Sequence, residues 1–269
     1  MKFEKIELSG GAYLDAYIAD PVGGFTRRAL LVIPGGGYWD VCSEREGEPI
    51  AMAFLPHGYN AFVLHYTTGR KKPFPTQLLE AAEAIALIKA RASEYGHSAE
   101  EVFAVGFSAG GHLAASTAVH WKHPAIKAAG IDPKAARPTG VMLVYPVIND
   151  KAHYGSIQNL WCTDTPTEEQ LREADAALHV DGDTPPAFFM HTSNDPVVDV
   201  RGALSMAAAY RAAGVLFEMH IYPDAPHGAA LGNKITRSGC DKFDNPAIAR
   251  WVADAATWAD AVCAAKDEK

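Results

Sequence analysis

The sequence predicts an α/β fold in which a mainly parallel central sheet of about eight strands lies between helices on both faces. Three observations carry that expectation. Short, nearly continuous apolar runs rich in β-branched and aromatic residues recur along the chain, Ala-rich segments with spaced larger apolar residues separate them, and the N-terminal stretch alone alternates apolar with polar residues. Strands covered on both faces lose the alternation that a half-exposed strand keeps, so the continuous runs read as the interior of a parallel sheet.

In chain order, KFEKIELS and AYLDAYIA flank Gly10-Gly11 and read as an antiparallel hairpin at the sheet edge. ALLVIP (29–34), NAFVLHY (60–66), EVFAVGF (101–107), GVMLVYP (140–146), PAFFMHT (186–192) and FEMHIYP (217–223) follow as buried strands. Residues 75–96, 110–120, 201–214 and 245–265 read as helices, and Gly96 and Gly214 fall where a C-terminal glycine is expected. Residues 147–185 break this rhythm and read as a small cap-like insertion above the strand ends. It contains one short helix, in which Thr167 and Gln170 are spaced as a capping box. No linker or repeat interrupts the pattern, so residues 1–269 are read as a single domain.

Composition excludes several classes. Hydrophobic residues make up 48% of the chain and charged ones 21%, close to the soluble globular average. No apolar stretch approaches the roughly 20 residues of a membrane span. The formal charge of −8 is dispersed, which favours small-molecule partners over nucleic acid or an anionic membrane. The N-terminal residues lack the apolar core of a secretory signal, and the expectation is a cytoplasmic protein; homo-oligomeric assembly is left open. Cys42, Cys162, Cys240 and Cys263 form no C-x-x-C pair and read as free thiols. His120 and His123 have no acidic or thiol companion at ligand spacing, and their place before Pro124 reads as a helix C-terminus. Neither a metal nor a cofactor is expected.

The chemistry gathers at VFAVGFSAGGHLAAS, residues 102–116. GFSAG fits G-x-S-x-G, with a buried strand before it and a helix after it, the context that gives the motif meaning. Gly106 and Gly110 leave space at a tight turn that lifts Ser108 clear of the surface, at a helix N-terminus. A serine hydroxyl becomes a useful nucleophile when a histidine takes its proton and a carboxylate orients that histidine. In an open α/β sheet both should lie beyond later strand ends, in the order Ser, Asp or Glu, His. Asp195 stands three residues past one strand and His227 a few residues past the next. Asp199 competes with Asp195, but its position at the start of a helix suits a capping role. His191 and His220 read as packed or hydrogen-bonded in strands, and His112 as structural. IPGGGYWDV (33–41) supplies backbone donors for a developing oxyanion: Gly36 or Gly37, with Ala109.

PGGGYWDV, GFSAGGHLAAS, HTSNDPVV and YPDAPHG, in that order, resemble the α/β-hydrolase superfamily, and within it the small serine carboxylesterases and carbohydrate acetylesterases. The resemblance runs from about residue 28 to the C-terminal helix. It implies Ser108 as nucleophile, Asp195 as acid, His227 as base, and Gly36, Gly37 and Ala109 as oxyanion donors. Many relatives of the hormone-sensitive-lipase type carry histidine before the glycines. This chain has Pro34 before Gly35, which points towards acetylesterase-like members and leaves open which glycine donates.

The implied activity is hydrolysis of short-acyl, chiefly acetyl, esters through an acyl-enzyme, with carbohydrate esters as one substrate class. A lipase, a peptidase of the prolyl-oligopeptidase type and a non-catalytic receptor on the same fold are the alternatives. Tyr38, Trp39 and Trp161 present aromatic faces either to a sugar ring or to the core. SEREGEP (43–49) reads as a solvated charge cluster, with contact to substrate hydroxyls as the second reading.

Overall fold

The computed structural model describes residues 1–267. Eight strands form one sheet: β1 (Lys2–Glu7), β2 (Tyr13–Ile18), β3 (Arg27–Ile33), β4 (Tyr59–His65), β5 (His97–Phe107), β6 (Gly140–Val144), β7 (Ala187–Thr192) and β8 (Phe217–Tyr222). Their spatial order is β1-β2-β4-β3-β5-β6-β7-β8. β1 and β2 pair antiparallel, β2 joins β4 antiparallel, and every pairing from β4 to β8 is parallel. The hairpin therefore occupies the edge, as its alternating pattern implies. β5 begins at His97 rather than Glu101, because His97 pairs with Arg27 across an irregularity in the β3 register. The polar residues HSAE that open this strand carry no apolar signal.

The missing alternation inside the sheet has a direct cause. Along β3, Ala29, Leu31 and Ile33 enter one core while Leu30 and Val32 enter the other, and all five are fully buried. The first core is covered by helices Thr76–Ala90, Ser108–Val119 and Val200–Ala213; the second by Glu48–Phe54 and Trp251–Asp267. Gly96 and Gly214 end their helices in the left-handed conformation.

Helix Ser108–Val119 lies deepest, and its small residues permit that. A side chain at Gly110 would bring its Cβ within 2.1 Å of the Ile33 carbonyl oxygen, so only glycine lets the helix start so close to the end of β3.

Between β6 and β7 the chain forms helices Tyr154–Leu160 and Glu168–Ala174. The second begins with the Thr167 and Gln170 capping box. The first corrects the expectation of one helix in this segment. Its N-cap is the imidazole of His153, which accepts from the Ser156 N–H, so the usual Ser, Thr, Asp or Asn signal is absent. His123 also differs from its expected role: it caps the N-terminus of the short helix Pro124–Ala128, while His120 alone ends the preceding helix.

Candidate active site

Ser108 sits where β5 turns into its helix, with φ of 52°, a left-handed conformation that costs a non-glycine residue energy. The parallel strands bring two later loops beside it. Asp195 follows β7 and His227 follows β8. His227 Nε2 lies 2.8 Å from Ser108 Oγ, and its Nδ1 lies 2.7 Å from Asp195 Oδ2. Since an ionised carboxylate only accepts, the imidazole proton belongs on Nδ1, leaving Nε2 to accept from the serine hydroxyl. The two loops are laced together: Ser193 N–H donates to the Tyr222 carbonyl, Ser193 Oγ to that of Pro223, and Asn194 Nδ2 to Asp224.

The Asp195 side chain is 1% exposed. Burial pushes its carboxyl upward, but the hydrogen bonds from His191 and His227, the His227 charge and the backbone of Val198 outweigh that and hold it well below the usual carboxylate range. Its Oδ1 accepts from the N–H groups of Val197 and Val198, each at 2.9 Å. His191, fully buried, stands 3.4 Å from Oδ2 and bonds the Val198 carbonyl. Asp199 caps helix Val200–Ala213 and pairs with Arg201.

The glycine loop abuts this line of side chains. A Cβ on Gly35 would lie 3.0 Å from Ser108 Cβ. Gly36 has φ of 124° and Gly37 of 65°. The loop carbonyls are all engaged: Gly35 by Cys42 N–H, Gly36 by Trp39 and Asp40 N–H, Gly37 by Asn159 Nδ2, and Tyr38 by Gly69 N–H. Among the described residues, the Gly36 and Gly37 N–H groups have no protein acceptor. Ala109 N–H lies in the first helical turn, where amides lack intrahelical partners. These groups and the helix N-terminus together suit an anionic oxygen.

The aromatic residues divide. Tyr38 is 1% exposed, its hydroxyl 2.7 Å from His112 Nδ1, so it belongs to the core and offers no face to a sugar. This corrects its reading as a substrate contact. His112, whose pKa burial lowers to about 4, bonds Tyr38 and the Ala174 carbonyl and stays structural. Trp39 is exposed beside the glycine loop. Trp161 packs on Phe74, centroids 5.1 Å apart, in a groove with His123, Glu169 and Glu173. SEREGEP is not simply solvated: Glu46 is buried, and Arg45 donates to the Gly228 carbonyl beside His227. His191 is packed and hydrogen-bonded, as its strand position implies; burial of Glu46 and any role for Tyr145 are not legible in the sequence, because nothing in their local pattern marks a polar group for burial. Among the described residues, no group of His, Cys, Asp or Glu could hold a metal, and no helix is long and apolar enough to cross a membrane.

A mainly parallel eight-stranded sheet with a serine at the β5 turn and an acid and a histidine on later strand loops defines an α/β-hydrolase of the carboxylesterase group. The BD-FAE family matches residues 14–210, and the chain belongs to that family. It is 36% identical over 218 residues to endo-1,4-beta-xylanase B of Butyrivibrio fibrisolvens, covering 79% of this chain and 34% of that protein. The chain spans about a third to a half of the length of several curated relatives it matches. Among solved structures, an acetyl ester-xyloside bifunctional hydrolase from Caldicellulosiruptor lactoaceticus superposes with a TM-score of 0.81 at 30% identity, over 95% of this chain and 89% of that one. A carboxylesterase from Lactobacillus plantarum superposes with a TM-score of 0.84 at 25% identity, over 96% of both chains.

Proposed function

We propose that this protein is a serine ester hydrolase acting on short-acyl esters, acetyl esters of carbohydrates among them, through an acyl-enzyme. The observation that carries the reading is the unbroken hydrogen-bonded line from Asp195 through His227 to Ser108, with unpaired backbone N–H groups beside it. In this mechanism Ser108 Oγ attacks the acyl carbon while His227 Nε2 takes its proton, and Asp195 stabilises the resulting imidazolium. The carbonyl oxygen becomes an oxyanion, met by N–H groups from Ala109 and from Gly36 or Gly37. Each such donor is worth about 2.7 to 4 kcal/mol in related sites. His227 then protonates the departing alcohol, and water activated by the same Nε2 releases the acid and restores Ser108.

The acetyl and carbohydrate parts of the reading draw support from the acetyl ester-xyloside hydrolase, which shares the fold over nearly its whole length. Exposed Trp39 beside the glycine loop supplies an aromatic face for a sugar. The intact acid, base and hydroxyl favour turnover over a binding-only role.

The test is the initial rate on p-nitrophenyl acetate against p-nitrophenyl octanoate, with Ser108→Ala as the blank. Fast acetate and slow octanoate hydrolysis, abolished in the blank with the fold intact, is the expected result. Equal rates for wild type and blank would sink the serine mechanism, and faster octanoate turnover would sink the short-acyl preference.

A further inference from the structure

Glu46 has no part in the reaction as described, yet it is 5% exposed within a run of charged residues. A carboxylate is buried at this depth only where fixed donors meet it. One oxygen accepts from the Gly35 N–H at 2.8 Å, and the other from the Tyr145 hydroxyl at 2.8 Å. The Tyr145 oxygen in turn accepts from the Ala230 N–H at 2.9 Å. The Tyr145 ring stands edge-on to His227, with centroids 5.0 Å apart, and Tyr145 has φ of 37°, a strained backbone at the end of β6. One carboxyl therefore reaches the glycine loop on one side and, through a single phenol, the loop that carries His227 on the other.

We propose that Glu46 is a positioning residue: it clamps the glycine loop and the His227 loop in one relative placement and sets a negative charge behind the imidazole. This rests on the serine-hydrolase reading above. The clamp matters because oxyanion donors and base act together only when their spacing is held, and a misplacement of about 1 Å costs on the order of 10²-fold in rate. The charge matters because His227 becomes an imidazolium during attack.

Several groups share this neighbourhood. Tyr145, Tyr66, Cys42, Arg45 and His227 face Glu46. His227 is faced by Asp195, Ser108, Tyr145 and, from the segment between β6 and β7, by His153. Arg45 is anchored on the Gly228 and Thr236 carbonyls.

The experiment compares wild type, Glu46→Gln and Tyr145→Phe on p-nitrophenyl acetate from about pH 5 to pH 8, the range in which histidine titrates. Glu46→Gln should lower kcat about 10- to 100-fold with KM within about threefold of wild type. Its acid limb of kcat/KM should move to lower pH, because the imidazolium loses a stabilising negative charge. A kcat within about twofold of wild type, or a fall in kcat with a stationary acid limb, overturns the proposal; the latter would mean packing alone. If circular dichroism shows Glu46→Gln unfolded, Tyr145→Phe decides: a drop in kcat of about tenfold at unchanged KM supports the clamp, and wild-type kcat overturns it. A wild type no faster than Ser108→Ala overturns the serine-hydrolase reading and this inference together, whereas an active wild type beside an indifferent Glu46→Gln overturns the inference alone.

Discussion

Two buried carboxylates flank Ser108, and they are held in opposite ways. Asp195, on the β7 side, takes two backbone N–H groups, the His227 ring and a close approach from His191. Glu46, on the β3 side, takes one backbone N–H and one phenol. Both are nearly inaccessible, so burial pushes both carboxyls up. For Asp195 the donors and the histidine charge win and hold it well below the usual range; for Glu46 burial wins and leaves it raised. Depth alone therefore does not decide the direction of the shift. The number and charge of the donors brought to each oxygen do.

The largest test of this contrast is Asp195→Asn. An amide at this position favours the wrong tautomer of His227, and kcat should fall by about 10⁴-fold while Asp199→Asn stays within about twofold of wild type. Steady-state hydrolysis of p-nitrophenyl acetate measures both, and a reversed pair would transfer the orienting role to Asp199. A smaller effect is expected from Gly35→Ala, which attacks the other carboxylate. Its Cβ would lie 2.8 Å from Glu46 Oε2 and 2.8 Å from the Phe107 carbonyl oxygen, so the glycine loop must shift. A loss of about 10²-fold in kcat with the fold retained is the expected outcome, and wild-type turnover would show that the loop tolerates displacement.

The smallest effect is a difference in how stability responds to pH. Stability rises with pH wherever the unfolded chain binds more protons than the folded one. Asp195 is depressed on folding, so its contribution is complete above its unfolded value of about 3.9 and is lost as pH falls through the lower folded value. Glu46 is raised on folding and has the opposite sign: its contribution declines as pH rises from an unfolded value of about 4.3 through the higher folded value. In urea midpoints measured across pH, Glu46→Gln should gain on wild type as pH rises above about 4.3. The deficit of Asp195→Asn should instead stay constant there and shrink only below about pH 3.9. Parallel curves for the two variants would break the contrast.

The parts of the site that could be read from the chain share one property: their signals are local. Ser108 stands between glycines at a strand end, and Asp195 and His227 each follow an apolar run by a few residues, so strand, turn and residue type coincide within one short window. The edge hairpin, the buried strands β3 to β7 and the capping box at Thr167 were legible for the same reason; β8, whose apolar run also reads as buried, is instead the opposite edge of the sheet, and none of its residues is fully buried, because no further strand covers it. Helix Tyr154–Leu160 was not, since a histidine caps it and Gly155 lies in its first turn. Tyr38 was ambiguous because an aromatic ring suits a sugar and a core equally; its partner His112 is 74 positions away. Glu46 and Tyr145 are 99 positions apart, and neither window records the other.

The sequence by itself determined the period of each element, the turn that holds Ser108 and the order of hydroxyl, acid and imidazole, because backbone sterics and hydrophobic patterning act between near neighbours. Only the tertiary structure decided which polar side chains are buried and what meets them there. Burial of Glu46 and the balance at Asp195 depend on donors delivered by β3, β6, β7 and β8 from distant parts of the chain, and the energy of a buried charge is set by those few atoms within hydrogen-bond reach.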